Sequence, residues 1–277
     1  MKKSILIATA ISVMGFAACS DDDDDTVTPS PAAETKSSLT VESQVTSRNT
    51  ITVDNVFLKS DGFAVVHRDN GTNGPVVPGI ISDTANLSAG NNNDVVITLK
   101  ESITDGEKLW VMIHNDDDMD GVYNFPDTRQ DGSFIDGPLT VDGNILMNSI
   151  NINSPSITVT DQVIMNNTLV IDEVVAAKDG WLVIHHEDLV NGLGGAIVVE
   201  PIAGKVKVNA GVTTNVSIQL TTDSTYSAGT SLYPMLHVDG DGNNDYDFPG
   251  GTGMDLPEIF SNAPFPGNVI FTKTTSQ

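Results

Sequence analysis

HNDDDMDGVYNFP, running from His114 to Pro126, packs one His and four Asp around a single Gly. Asp116, Asp118 and Asp120 stand at alternate positions, Gly121 follows, and Asp127 stands eleven residues after Asp116. That is the spacing of a calcium loop, with oxygens at positions 1, 3, 5 and 12 and a Gly at 6 for the sharp turn. Carboxylates crowded in this way repel one another unless a cation neutralises them. The flanks differ from an EF-hand, because a strand-like run leads in and no helix is evident. The plainer alternative is a solvated acidic turn whose Asx side chains cap backbone N–H groups.

A second stretch, HVDGDGNNDYDFP from His237 to Pro249, repeats the theme. Asp239, Asp241 and Asn243 keep the first three oxygen positions. Asn244 replaces the Gly, Gly250 stands at position 12, and Asp245 and Asp247 can substitute from within the loop. Oxygen richness survives between the two stretches while the full spacing does not. Calcium is the one cofactor this pattern suggests, more strongly in the first stretch than in the second.

The histidines form another pattern. Phe63, Val65 and His67 alternate along the chain, as do Trp110, Met112 and His114, Trp181, Val183 and His185, and Tyr233, Met235 and His237. Alternate residues share a face of a strand, so each His closes an apolar stripe at a strand end. A zinc or copper site needs the nitrogens to converge. Adjacent antiparallel strands would put the two His at opposite edges, so convergence is not expected. The four are then rim residues, hydrogen-bonding loop carboxylates or backbone.

The elements that must position these residues come in two copies. SLTVESQVTSRNTITVDNVFLKSDGFAVVH from Ser38 aligns without a gap with SITVTDQVIMNNTLVIDEVVAAKDGWLVIH from Ser156. The copies share Gln44/Gln162, Asn49/Asn167, Asp54/Asp172, Asp61/Asp179, Gly62/Gly180 and His67/His185, and LWVMIHNDDDMDGVYNFP from Leu109 matches LYPMLHVDGDGNNDYDFP from Leu232. Short runs of Val, Ile and Thr broken by Gly, Asn and Asp predict strands near 39–45, 51–58, 62–67, 76–82, 93–99, 107–114 and 145–153 of the first copy. Many short strands without a helical period predict an all-β chain of two tandem immunoglobulin-like β-sandwich domains, at 38–153 and 154–277. A small barrel is the alternative.

The chain has 277 residues and a formal net charge of -24. Clustered cations are what phosphate binding needs, so nucleic acid is excluded as a partner. The single cysteine, Cys19, follows Lys2, Lys3 and an apolar run from Ile5 to Phe16 too short to span a bilayer comfortably. Residues 1–18 resemble a bacterial lipoprotein signal peptide, in which the cysteine is acylated and becomes the mature N-terminus. Ser20, Asp21, Asp22, Asp23, Asp24 and Asp25 resemble the export signal that sends Bacteroidota lipoproteins to the outer face of the outer membrane. Residues 19–37 then read as an acidic, Pro/Ser/Thr-rich tether. An acylated Cys19 leaves no thiol for catalysis, metal binding or disulfides.

The repeat itself resembles an uncharacterised family of extracellular domains found in bacterial lipoproteins and in halophilic archaeal surface proteins. The residues that carry the resemblance are Asp61-Gly62 and His67, then Leu109, Met112, His114, Asp116, Tyr123, Phe125 and Pro126, with their counterparts in the second copy. The family brings no established activity. Neither G-x-S-x-G, H-E-x-x-H nor a P-loop occurs. The expected protein is therefore a non-enzymatic lipoprotein, held to outer-membrane lipid through Cys19 and facing the exterior. Its expected partner is an unknown extracellular protein or glycan, in adhesion, matrix or envelope structure. A glycan-capture lipoprotein and a carboxylate-dependent hydrolase are the other two readings. Trp110 and Trp181 read as core rather than as exposed sugar platforms. Asp83-Thr84-Ala85 and Asp223-Ser224-Thr225 resemble O-glycosylation sites.

Overall fold

A computed structural model describes residues 36–187, 197–221, 228–250, 255–260, 268–269 and 274–277. Cys19, Ser20 and Asp21–Asp25, the tether and Asp223–Thr225 lie outside the described residues. Lys36–Gln277 forms one compact unit. It is all-β, with no helix among the described residues.

In the first copy the strands are β1 (Ser38–Thr40), β2 (Gln44–Val45), β3 (Thr50–Leu58), β4 (Gly62–Arg68), β5 (Ala85–Leu87), β6 (Gly90–Thr98), β7 (Glu107–Asn115), β8 (Thr140–Val141), β9 (Asn144–Ile145) and β10 (Met147–Asn153). One sheet has the order β1-β3-β6 and faces a second of order β2-β10-β7-β4-β5, while β8 and β9 form a separate hairpin. This is an immunoglobulin-like sandwich. The second copy repeats it with β11 (Ser156–Thr158), β12 (Thr168–Ala176), β13 (Gly180–Glu187), β14 (Ile197–Val198), β15 (Gly204–Val208), β16 (Gly211–Gln219), β17 (Ser231–Val238), β18 (Ile259–Phe260), β19 (Asn268–Val269) and β20 (Thr274–Thr275). Its sheets are β11-β12-β16 and β14-β13-β17-β20, with β15 also on β13.

Two strand expectations change. The run expected over 39–45 is two strands in different sheets, because buried Val41 turns into the core between them. The strand expected over 76–82 is a loop, and β5 forms the sheet edge instead. Pro75 and Pro78 lack the N–H donors a ladder needs, and Val76 and Val77 remain exposed.

Inward positions of both sheets build the first core, including Ile51, Val53, Val56, Leu58, Ala64, Val66, Ile97, Val111, Ile113 and Ile150. Each buried Val, Leu or Ile among them contributes about 1.5–3 kcal/mol by leaving water. The alternation on β3 changes phase at Asp54, and β12 does the same at Asp172. Opposite these points Asp94 and Asn215 adopt left-handed φ values of 50° and 54°. The shared Asp54/Asp172 therefore marks a conserved irregularity in the sheet.

The feature that positions the site is a second buried face. From Phe63 to His67 on β4 and from Leu109 to His114 on β7, every residue is buried. Five of them, Ala64, Val66, Leu109, Val111 and Ile113, enter the sandwich core. Phe63, Val65, His67, Trp110, Met112 and His114 are paired across the strands on the opposite face, where long loops cover them.

The copies also touch. Glu258, buried, accepts hydrogen bonds from Ser47 Oγ (2.9 Å) and the Arg48 N–H (2.7 Å). Burial raises its carboxyl above the ordinary value, opposed by these bonds. Phe260 packs against the first core.

Candidate functional site

The acidic loop leaves β7 at Asn115. The Asp116 N–H bonds the Asp61 carbonyl at 3.2 Å, and the loop then reverses through left-handed Met119 and Gly121. Asp116 Oδ2 accepts the Gly121 N–H (3.1 Å) and Asp120 Oδ1 the Val122 N–H (2.7 Å). These bonds bring the carboxylates of Asp116, Asp118 and Asp120 within 4.8 Å of one another. Asp118 is held above its ordinary carboxyl value, first by desolvation and then by the charges of Asp120, Asp136 and Asp116. Asp116 Oδ1 is buried without a hydrogen-bond partner among the described residues. Asp127 is not part of this group. Its backbone instead closes the next turn, with its N–H on the Asn124 carbonyl and its carbonyl on the Ile135 N–H.

The second loop keeps the same backbone with different residues. Gly242 and Asn244 occupy the left-handed positions of Met119 and Gly121. Asn tolerates that region better than most residues, so the missing glycine costs little. The carboxylates of Asp239, Asp241 and Asp255 lie within 4.8 Å of one another. Asn243 donates to Asp241 Oδ2 (2.9 Å) and accepts the Asp245 N–H (2.6 Å), and Asp247 Oδ1 accepts the Asp255 N–H (3.3 Å). Asp245 and Asp247 stand outside the three-carboxylate group. A difference between the copies lies alongside. Lys207 Nζ reaches Asp239 Oδ2 at 3.4 Å and also bonds Asn244 Oδ1. The register opposite Trp181 is Lys207, whereas opposite Phe63 it is Asn86. Among the described residues, the second loop thus carries its own cation and the first does not.

Sequence reasoning missed Asp136 and Asp255. Asp136 is fully buried. Its Oδ1 accepts the Asp117 N–H (3.0 Å), its Oδ2 the Asn124 N–H (2.8 Å), and its carbonyl holds His114 Nδ1 at 2.7 Å. Asp255 does the same for Gly240, Asp247 and His237. Desolvation raises the Asp255 carboxyl, opposed by its N–H donors. The available signal was the pattern Asp136-Gly137-Pro138 against Asp255-Leu256-Pro257. Unequal loop lengths, 22 and 18 residues from His to Asp, hide it from an ungapped comparison.

The expected backbone hydrogen bonds of the four histidines are made, but the expected separation of each pair is overturned. His67 and His114 have ring centres 6.3 Å apart, and His185 and His237 5.8 Å. The register puts Val65 opposite Met112 and Val183 opposite Met235. Each His is therefore only two residues from that central pair, and the rings meet across it. His67 Nδ1 lies 2.8 Å from the Gly79 carbonyl and 3.1 Å from that of Val76, and His185 Nδ1 lies 3.0 Å from that of Val198. Carbonyls only accept, so each Nδ1 carries the proton and each Nε2 a lone pair. Burial lowers His114 and His237 to about 4, and lowers His67 and His185 too. Tyr123 and Phe125 lie over His114 at 5.1 and 5.0 Å, as Tyr246 and Phe248 lie over His237 at 5.2 and 5.1 Å. Burial raises both phenols above their ordinary value. Trp110 and Trp181 are buried on this same face.

Gly62 and Gly180 join the two levels of the site. A Cβ at Gly62 would lie 2.3 Å from the His114 carbonyl oxygen, and one at Gly180 2.1 Å from that of His237. Only Gly lets β4 approach β7, and β13 approach β17, where the acidic loops begin.

Among curated proteins, the chain is similar to cell surface glycoprotein 2 of Haloarcula hispanica, with 26% identity over 142 residues, 51% of this chain. The match spans 14% of that relative's length. Among solved structures, a chaperone–tip adhesin complex of CFA/I fimbriae biogenesis matches at 10% identity and a TM-score of 0.23, covering 85% of this chain and 95% of that one. The class 5 fimbriae chaperone CfaA matches at 12% identity and a TM-score of 0.21, covering 87% and 96%. Likeness at that level carries no argument. A family model described as a domain of unknown function (DUF7282) matches residues 37–153 and again 155–265, so the chain belongs to that family and carries two tandem copies of its domain.

Proposed function

We propose that this protein is a surface-anchored, non-enzymatic lipoprotein whose two sandwich modules serve adhesion, matrix or envelope structure, with calcium stiffening the acidic loops. The observation that carries the calcium reading is the first loop, where three carboxylates meet and Asp116 Oδ1 is buried without a partner among the described residues. A hard cation with oxygen ligands suits that set. The similarity to a cell-surface glycoprotein supports the extracellular setting. The signal-like segment ending at Cys19 supports the lipid anchor.

Lys207 lets the two copies be told apart. It neutralises the second loop internally, so calcium should stabilise the first module more. Lys207→Asn copies the residue of the first module and should lower the metal-free melting temperature while enlarging the response to calcium. An unchanged calcium response in Lys207→Asn would show that the lysine does not stand in for a cation.

The anchor is tested separately. Cys19→Ala should move the protein from the membrane fraction to the soluble fraction and abolish acyl labelling. Replacing Asp21–Asp25 with Ala should keep the lipid but remove access to external protease. Membrane retention of Cys19→Ala, with no lipid on the wild type, would contradict the anchor.

A further inference from the structure

Each module buries a small cluster of polar atoms that find no partner among the described residues. His67 Nε2, His185 Nε2, His237 Nε2 and the Tyr246 hydroxyl have none, and the Tyr123 hydroxyl approaches His114 Nε2 only to 3.5 Å. All four histidines are almost wholly inaccessible. An unpaired buried polar group costs about 1–3 kcal/mol. Both copies keep these orphaned atoms although the surrounding loops differ, so something that offsets the cost is called for in each. In both copies the backbone carbonyls fix Nδ1, which is how metal-ligating histidines are commonly oriented, leaving Nε2 as the donor. A metal held by two Nε2 atoms at about 2 Å from each sets the ring centres roughly 5–6 Å apart; the second pair, at 5.8 Å, lies within that range and the first, at 6.3 Å, must close by a few tenths of an ångström to reach it.

The third side chain is a methionine. Met112 stands between His67 and His114 on the same sheet face, 1% exposed and outside the apolar core cluster. Met235 has the same register place between His185 and His237 and is half-buried. The buried carboxylates of the two modules, Asp136 and Asp255, are each already occupied by two backbone N–H groups. The donor set is therefore neutral, soft and roofed by aromatic rings. Imidazole with thioether suits Cu(I), and a buried site without anionic ligands penalises a divalent ion far more than a monovalent one.

We propose that each module holds one Cu(I) ion between the Nε2 atoms of its buried histidine pair, His67 with His114 and His185 with His237, with the thioether of Met112 or Met235 as third ligand. The site uses none of the acidic-loop oxygens, so it stands or falls independently of the calcium reading.

The test is an anaerobic titration of the whole chain with Cu(I) against a chromophoric Cu(I) chelator. The protein carries Cys19→Ala, because an unmodified thiol would itself take copper. Two equivalents of Cu(I) should be withheld from the chelator, and X-ray absorption at the copper edge should show nitrogen and sulfur neighbours. Met112→Leu with Met235→Leu should weaken retention at least tenfold while the metal-free protein stays folded with at most a small loss in melting temperature, since the exchange conserves volume. His67→Gln with His185→Gln should abolish retention. If the histidine variant fails to fold, the methionine pair decides. Complete transfer of copper to the chelator would overturn the proposal and leave the pocket to buried water. Equal retention by wild type and the methionine variant, or preferential retention of Zn(II), would overturn it as well.

Discussion

Asp136→Ala is expected to destabilise the first module by about 3 kcal/mol and to release its acidic loop. The carboxylate holds the N–H groups of Asp117 and Asn124, and truncation leaves both without an acceptor. A half-buried N–H stranded in this way costs about 1–3 kcal/mol. Hydrogen exchange should localise the effect, with protection lost at Asp117 and Asn124. Asp136→Asn keeps one acceptor but turns a donor towards an N–H group, so it should be damaged almost as much. Asp255→Ala should release Gly240 and Asp247 in the second module. Unchanged exchange at these amides in the alanine variants would remove the buried aspartates from the account.

Gly180→Ala is expected to cost about 3 kcal/mol or more, a value at the upper end for overpacking. The added methyl would sit 2.1 Å from the His237 carbonyl oxygen and 3.1 Å from the Asp239 nitrogen. Both atoms are backbone, so no side-chain rotation relieves the overlap, and β13 and β17 must separate. Gly62→Ala should act similarly through the His114 carbonyl, at 2.3 Å. Gly250→Ala is the control, because nothing lies within 4 Å of its added methyl. Denaturant unfolding of the whole chain measures all three. Equal stability of Gly180→Ala and Gly250→Ala would contradict the close approach.

The sandwich was legible because period-2 apolar runs and the repeat alignment are local signals. Ile51, Val53 and Ile113 announce an inward face without knowledge of partners. The loop over 76–82 was not legible, because Val76, Val77, Ile80 and Ile81 read as strand while two prolines and the pull of His67 on the Val76 and Gly79 carbonyls decide otherwise. The acidic loop was visible from Asp116, Asp118 and Asp120. Asp136 was hidden because it reaches them only through tertiary folding. The meeting of His67 with His114 was hidden for a related reason. Strand ends that are opposite on paper lie within reach when both side chains lean across one central pair, Val65 and Met112.

Thermal melting of the whole chain in EDTA, calcium and magnesium at matched ionic strength tests the calcium claim most directly. An extracellular module typically binds calcium at about 10⁻⁴–10⁻³ M. At ten times such a Kd, linkage stabilises the folded state by roughly 1.4 kcal/mol per site, which raises the melting temperature by a few degrees. Calcium should therefore shift the curve and magnesium should shift it less. Asp116→Asn with Asp118→Asn should remove most of the calcium shift while relieving carboxylate repulsion in EDTA. Superimposable wild-type curves in EDTA and millimolar calcium would contradict the account and reduce HNDDDMDGVYNFP to a solvated acidic turn.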